Sequence, residues 1–282
     1  MNDLTDLTVL KPLLTRHGFA FSKSLGQNFI INPDVCPKMA ETAVLPDGGV
    51  LEIGPGVGSL TRELAKRAKR VLAIELDKRL IPVLKETLAG IENVTVLNGD
   101  AMKLDLSVLA REHFGALSFT VCANLPYYIT SPLIMQLLEN RLPAQSVTVM
   151  VQKEAAERLT AQPGTRLCGA ITLAVAYRAA AKTLFGVGRE NFYPAPKVDS
   201  AIIQLEIFKE PPVRTRSEET LFSVIKAAFG QRRKTLLNSL SAGLSLERAR
   251  TLKALNTAGI DPTRRAETLT LEEFAELANE LN

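Results

Sequence analysis

From about residue 50 to residue 206, short apolar, β-branched runs alternate with stretches of helical spacing, and few folds accommodate that alternation. A strand covered on both faces reads as a continuous apolar run, and adding a parallel neighbour requires a helix-length crossover. The candidate strands are 50–53, 71–75, 94–97, 119–123 and 147–151, followed by 183–185 and 201–208. Helical spacing over 59–68, 78–88, 132–138 and 153–159 fills the gaps, with Ser59 and Ser131 expected as N-caps and Pro132 at the first helical position. The last two strands have Gly186, Gly188 and a Pro-rich link between them instead of a helix, so an antiparallel arrangement is expected. The pattern predicts an α/β protein with a Rossmann-like, mainly parallel sheet.

Pro211-Pro212 ends the alternation, and residues 217–281 read as several helices without strands. A boundary is therefore expected between a large domain, 1–209, and a small all-helical domain, 210–282. In the tail, Lys226, Arg232, Arg233, Lys234, Arg248, Arg250 and Lys253 face only Glu247, while the final stretch is acid-rich. The whole chain carries 34 Lys and Arg against 30 Asp and Glu, so the segregation of charge says more than the net +4. A segregated basic surface suits an anionic partner, although two solvated helix faces would read the same way.

Other chemistries are disfavoured. Cys36, Cys122 and Cys168 are odd in number, far apart and set in apolar stretches, the pattern of reduced core thiols and not of disulfides or a metal knuckle. His17 and His113 have no ligand-spaced partner, so no metal is assigned. Asp3 and Asp6 interrupt the N-terminus, and no apolar run approaches membrane-spanning length, so a cytoplasmic protein without membrane contact is expected.

Leu51-Glu52-Ile53-Gly54-Pro55-Gly56-Val57-Gly58 joins the first predicted strand to the first predicted helix. Its G-x-G-x-G spacing is one residue tighter than the dinucleotide fingerprint, and Pro55 removes an amide that a pyrophosphate would use, which disfavours hydride chemistry. S-adenosylmethionine has no phosphate, and a tight turn against its methionine half suffices. Glu75 ends the second strand about 20 residues after the glycines, the place of a carboxylate that accepts from both ribose hydroxyls, whereas Asp77 fits a helix cap. Asn98-Gly99-Asp100-Ala101 ends the third strand, where Asp100 can accept from an adenine amine or simply close a turn. Glycines, acid and acid after three successive strands form an ordered set that points to S-adenosylmethionine.

The fourth strand ends in Asn124-Leu125-Pro126-Tyr127-Tyr128. An exocyclic adenine amine delocalises its lone pair into the ring and is a poor nucleophile until acceptors draw the nitrogen toward tetrahedral geometry. The Asn124 side-chain oxygen and the Leu125 carbonyl can be those acceptors, Pro126 stiffens the turn, and Tyr127 offers a stacking face. A Pro-stabilised core loop remains the alternative reading of the same residues.

With these motifs in hand, nearly the whole chain resembles the ribosomal RNA adenine N6,N6-dimethyltransferase family, in its small-subunit group. The resemblance runs through Leu25-Gly26-Gln27-Asn28-Phe29-Ile30, the Glu52 to Gly58 loop, Glu75, Asp100, Asn124 to Tyr127, and Asn191-Phe192-Tyr193-Pro194-Ala195-Pro196-Lys197-Val198-Asp199-Ser200. It continues into Phe229-Gly230-Gln231-Arg232-Arg233-Lys234-Thr235-Leu236 and Asp261-Pro262-Thr263-Arg264-Arg265. It implies that Asn28, Ile30, Gly54, Gly56, Glu75, Asp100, Ala101 and Asn124 contact the cofactor, that residues 1–45 help close the site, and that Phe192 stacks the target base opposite Tyr127. Without it, Gln27-Asn28-Phe29 reads as an ordinary loop and Phe192 as a core aromatic. Family members commonly carry Leu where Ile30 stands, a mild change for a backbone contact. The implied substrate is two neighbouring adenines in the loop of the 3′-terminal helix of small-subunit (16S) rRNA, each dimethylated by a monomer acting in ribosome biogenesis. The alternatives are a large-subunit rRNA methyltransferase of the antibiotic-resistance type, whose tail differs from this one, and a non-catalytic RNA-binding assembly factor.

Overall fold

The computed structural model describes residues 3–22, 25–140, 142–231 and 233–282. It divides into two compact units, one of residues 1–156 and 182–207 and one of residues 157–181 and 208–282. The first is built on a seven-stranded sheet of β2 (Gly49–Ile53), β3 (Arg70–Glu75), β4 (Val94–Asn98), β5 (Phe119–Asn124), β6 (Ser146–Gln152), β7 (Ala179–Val187) and β9 (Ser200–Ile207). A separate two-stranded ribbon pairs β1 (Phe29–Ile30) with β8 (Phe192–Tyr193).

The strand order is β4-β3-β2-β5-β6-β9-β7. The chain enters at the centre, steps outward through β3 and β4, and returns on the other side of β2 to lay down β5 and β6. Pairs β2/β3, β3/β4, β2/β5 and β5/β6 are parallel, and β9 is antiparallel to β6. The order reverses between β2 and β5, and in open α/β sheets such a reversal opens a crevice at the carboxyl ends of the strands. Register keeps those ends level. Ile53 sits opposite both Ile74 and Ala123, and Glu75 opposite Asn98.

One sheet face is covered by α2 (Val35–Ala43) and α3 (Ser59–Ala65), and its core draws a residue from each of five neighbouring strands in turn: Val71, Val50, Cys122, Met150 and Ile202. A second cluster holds α1 (Leu7–Arg16) through Leu10, Leu13 and Leu14 against Phe29, Val57, Leu80 and Val83. The three cysteines are buried free thiols.

Several helix ends differ from expectation by one to three residues, close to the usual scatter. Gly58, at φ +90°, and not Ser59, precedes α3, which ends at Ala65 and not at 68. The helix expected at 132 begins earlier, because a 3-10 turn (Tyr127–Ile129) runs directly into α6 (Thr130–Glu139) and places Ser131 and Pro132 within its first turn. The stretch 78–88 splits into a 3-10 turn (Lys78–Leu80), capped by Asp77, and α4 (Ile81–Thr87). An additional helix, α5 (Leu106–Phe114), capped by Asp105, connects β4 to β5, and α7 (Lys153–Leu159) follows β6.

Apart from the first three residues of β7, the regular structure of the second unit is helical, with α8 (Ala170–Arg178), α9 (Glu218–Phe229), α10 (Leu236–Gly243), α11 (Arg248–Thr257) and α12 (Leu271–Leu281) as its α-helices. Its core joins Cys168, Leu173 and Tyr177 to Leu221, Leu240, Leu255 and Phe274. These compact units fall differently from the expected domain limits. The tail begins at 208 and not 210, and residues 157–181, expected in the large domain as the sequel of a β/α unit, belong with the helices because their apolar side chains are buried there. Tyr177 donates to Glu218, which also pairs with the Arg178 guanidinium, so α8 and α9 are tied by charge as well as packing.

Phe274 is fully buried and stacks on Phe229 with ring centroids 6.1 Å apart. Phe274→Ala is expected to cost about 3–5 kcal/mol, through lost transfer energy and an unfilled cavity. Urea unfolding of the variant should show an earlier transition of the helical unit. A midpoint equal to that of the unsubstituted protein would disprove this role.

Candidate active site

All twelve residues singled out from the sequence line one cleft at the carboxyl edge of the sheet: Asn28, Ile30, Gly54, Gly56, Glu75, Asp100, Ala101, Asn124, Leu125, Pro126, Tyr127 and Phe192. The strand order explains the gathering, since four of the five consecutive parallel strands deliver one motif each to the same edge.

After β2 the chain turns through Gly54, Gly56 and Gly58, all at positive φ (+74°, +62° and +90°), a region closed to most side chains. The Gly54 N–H still extends the ladder, donating to the Ile74 carbonyl at 2.9 Å. Gly56 also permits close packing, because a Cβ there would meet the Phe29 ring at 3.2 Å.

Glu75 is 6% exposed, and its carboxylate accepts from the Gly56 N–H at 3.1 Å and from the Asp77 N–H at 2.8 Å. Burial raises its pKa, and those backbone donors oppose the rise. Each of its oxygens thus holds one backbone bond while the group lines the cleft, which suits a carboxylate that receives paired hydroxyls. Asp100 is more open, accepting from the Met102 N–H at 3.0 Å in an Asx-turn, with the Lys103 ammonium 3.7 Å from its other oxygen. The turn role and the cleft position coexist.

At the end of β5, the Asn124 Nδ2 donates to the Asn28 carbonyl at 3.4 Å, which fixes the amide and turns its oxygen away from that contact. The Leu125 N–H donates to Met150 at 3.3 Å, and the Pro126 carbonyl accepts from Ile129 at 3.1 Å, so the turn is held on both sides. The Tyr127 hydroxyl shares a 2.9 Å hydrogen bond with Ser200, and partial burial raises its pKa. Phe192 lines the cleft but is 3% exposed and belongs to the core beneath the sheet.

The N-terminal motif reaches the cleft by a contact across some 160 residues of sequence. Phe29 pairs with Tyr193 and Ile30 with Phe192, and the Ile31 N–H continues the ribbon to the Asn191 carbonyl at 2.9 Å. Leu76, Leu80 and Met102 also line the cleft without a sequence signal, since their side chains are apolar, and Tyr128 joins them. Tyr128 had one signal, its place beside Tyr127 in an aromatic pair. It is 53% exposed at the cleft.

Glu52, in the middle of β2, is fully buried, and neither carboxyl oxygen has a hydrogen-bond partner. Burial pushes its pKa up to about 8; the nearby Thr61 hydroxyl offsets part of the rise and Glu75 adds to it. At neutral pH the group is therefore a protonated acid, which avoids an isolated charge in the core. The unfolded chain ionises Glu52 near pH 4.3 while the folded chain keeps the proton, so stability falls as pH rises from about 4 to about 8. The slope from this group is about 1.4 kcal/mol per pH unit. Glu52→Gln should lack that component, so the variant should gain on the unsubstituted protein steadily between about pH 5 and pH 8 in urea unfolding. Parallel pH profiles for the two proteins would refute it.

Among the described residues no cluster of side chains suited to a metal is present, and no helix is long and apolar enough to cross a membrane. In the helical unit, Lys226, Arg233, Lys234, Arg248, Arg250 and Lys253 are exposed, while Arg232 lies outside the described residues. Arg248 donates to the Asn238 side chain at 2.6 Å.

Residues 18–282 match the family described as ribosomal RNA adenine dimethylase. A ribosomal RNA small subunit methyltransferase A from Alkaliphilus oremlandii is 48% identical over 273 residues, 96% of this chain and 95% of that protein. Its counterpart from Geobacillus thermodenitrificans is 48% identical over 276 residues, 96% of this chain and 94% of that protein. Among solved structures, a dimethyladenosine transferase from Plasmodium falciparum superposes with TM-score 0.72 at 28% identity, covering 88% of this chain and 95% of that one. The 23S rRNA methyltransferase ErmE gives TM-score 0.66 at 31% identity, covering 90% and 99%.

Proposed function

The chain belongs to the ribosomal RNA adenine dimethylase family, and on that premise we propose that it dimethylates the N6 amine of two adjacent adenines in the loop of the 3′-terminal helix of small-subunit rRNA, with S-adenosylmethionine as methyl donor, in ribosome biogenesis. The observation that carries this reading is the convergence of the glycine turn, two acids and the Asn124-Leu125-Pro126-Tyr127 turn on one cleft. Identity of 48% to small-subunit enzymes against 31% to ErmE favours the small-subunit target over the large-subunit one.

The residues fit the donor. Gly54 and Gly56 admit its methionine half closely, Glu75 receives its ribose hydroxyls, Asp100 and the Ala101 backbone meet its adenine, and Asn28 and Ile30 close over it. S-adenosylmethionine supplies a methyl on a positively charged sulfur, displaced in line by a nucleophile. The Asn124 oxygen and the Leu125 carbonyl accept from the target amine and draw its nitrogen toward tetrahedral geometry, and Tyr127 and Phe192 flank the base. Alignment and charge complementarity, without a strong base, lower the barrier. An adenine must leave its stack to present N6, so a loop is a better substrate than a duplex. Lys226, Arg233, Lys234, Arg248, Arg250 and Lys253, with Arg232, contact phosphates and position the protein without reading sequence. The protein acts as a cytoplasmic monomer.

Labelled S-adenosylmethionine offered with immature small subunits should yield dimethyladenosine in the small-subunit RNA, identified by mass spectrometry of nucleosides. Label confined to large-subunit RNA would reassign the target. Asn124→Ala should lower transfer by about a hundredfold or more, the scale on which a preorganised polar contact acts, while RNA binding is largely retained. Equal loss of binding and transfer would remove Asn124 from the chemistry, whereas no label from the unsubstituted protein despite measurable RNA binding would favour the non-catalytic assembly factor.

A further inference from the structure

Beside Glu75 lies a second acid that the proposed reaction does not use. Asp77 is 6% exposed, although capping the turn that follows β3 needs only the Arg79 N–H, which it accepts at 3.1 Å. The same carboxylate takes Arg79 Nε at 2.8 Å and Nη2 at 2.6 Å, a two-pronged pairing, and then Gln27 Nε2 at 2.8 Å. Both ends of the Gln27 amide are engaged, because its oxygen accepts from the Ser22 N–H at 3.0 Å. Arg79 reaches further, donating to the Ala20 carbonyl at 3.1 Å and lying 5.2 Å from the centre of the Phe19 ring. The Asp77 N–H meanwhile donates to Glu75 at 2.8 Å.

These bonds far exceed what a cap requires, and they join two parts of one wall. Residues 25–30 line the cleft, yet their regular structure is a two-residue strand. A ribbon that short does not hold itself in place. We propose that Asp77, gripped by Arg79 and Gln27, fastens residues 25–30 to the strand end that carries Glu75, and is thereby a positioning residue that sets affinity for the methyl donor. The physical basis is preorganisation: a wall already ordered before the ligand arrives spares binding the entropy of ordering it. Charge-assisted hydrogen bonds are strong enough to hold such a wall at a half-buried site. The inference rests on the reading of this cleft as the S-adenosylmethionine site.

The test uses the full-length protein without RNA. Donor dissociation constants are measured by calorimetry for the unsubstituted protein, Asp77→Asn, Gln27→Leu and the double variant, and amide hydrogen exchange is followed across 25–30. Each single substitution should weaken donor binding by about tenfold and speed exchange in that segment, while the double variant should be little worse than either single one, as for two halves of one contact. Should Asp77→Asn unfold, Arg79→Lys keeps the charge but loses the fork and carries the same expectation. Unchanged donor affinity or exchange in the variants, or effects that simply multiply, would overturn the inference alone. An unsubstituted protein that fails to bind the donor would overturn the donor reading and this inference with it.

Discussion

The structure depends on the level register of β4, β3, β2 and β5. Backbone pairing in a parallel ladder fixes neighbouring strands to within a residue, so Ile53, Glu75, Asn98 and Asn124 end at one edge whatever their side chains. The reversal of strand order between β2 and β5 then separates the crossovers and leaves that edge open. The glycine turn, Glu75, Asp100 and the Asn124 turn of the candidate site lie at or just after strand ends, where the sheet holds them rigid and the chain no longer needs apolar side chains.

Buried acid is managed in three different ways around this edge. Glu75 receives two backbone N–H donors at 3.1 and 2.8 Å. Asp77 is matched by a guanidinium and an amide, and its pKa falls, chiefly through the Arg79 hydrogen bonds. Glu52 has no partner and stays protonated well above the usual carboxylate range. The nearby thiols answer to the same core: burial is the main reason that the Cys36 and Cys122 pKa values rise, and Glu52 contributes to both. They are inert fillers of the face packed by α2 and α3.

The helical unit has a core of its own, and at its edge Arg178 and Glu218 meet beside Tyr177. Its basic side chains stand outside that core, on the end of α9, the stretch after it, and α11. Burial of Leu255 and Ala254 orients α11 and turns Arg248, Arg250 and Lys253 outward. A surface held by packing in this way can present charge without itself needing charge for stability.

Much of this was legible in the sequence because it is local. Apolar runs of strand length, crossovers of helical period and glycines at a strand end report conditions satisfied within about ten residues, and they locate the sheet, the glycine turn, both acids and the Asn124 turn. The resemblance supplied Asn28, Ile30 and Phe192, which carry no local signal. Tertiary structure alone decided the pairing of β1 with β8, the clasp between Gln27 and Asp77, and the membership of 157–181 in the helical unit. Each depends on groups brought together from distant parts of the chain, and the gain from pairing two polar groups or burying an apolar face depends on the partner that the fold brings to it. Asp77 shows both halves: its capping of the next turn was readable from its position, whereas the amide that came to it from fifty residues away was not.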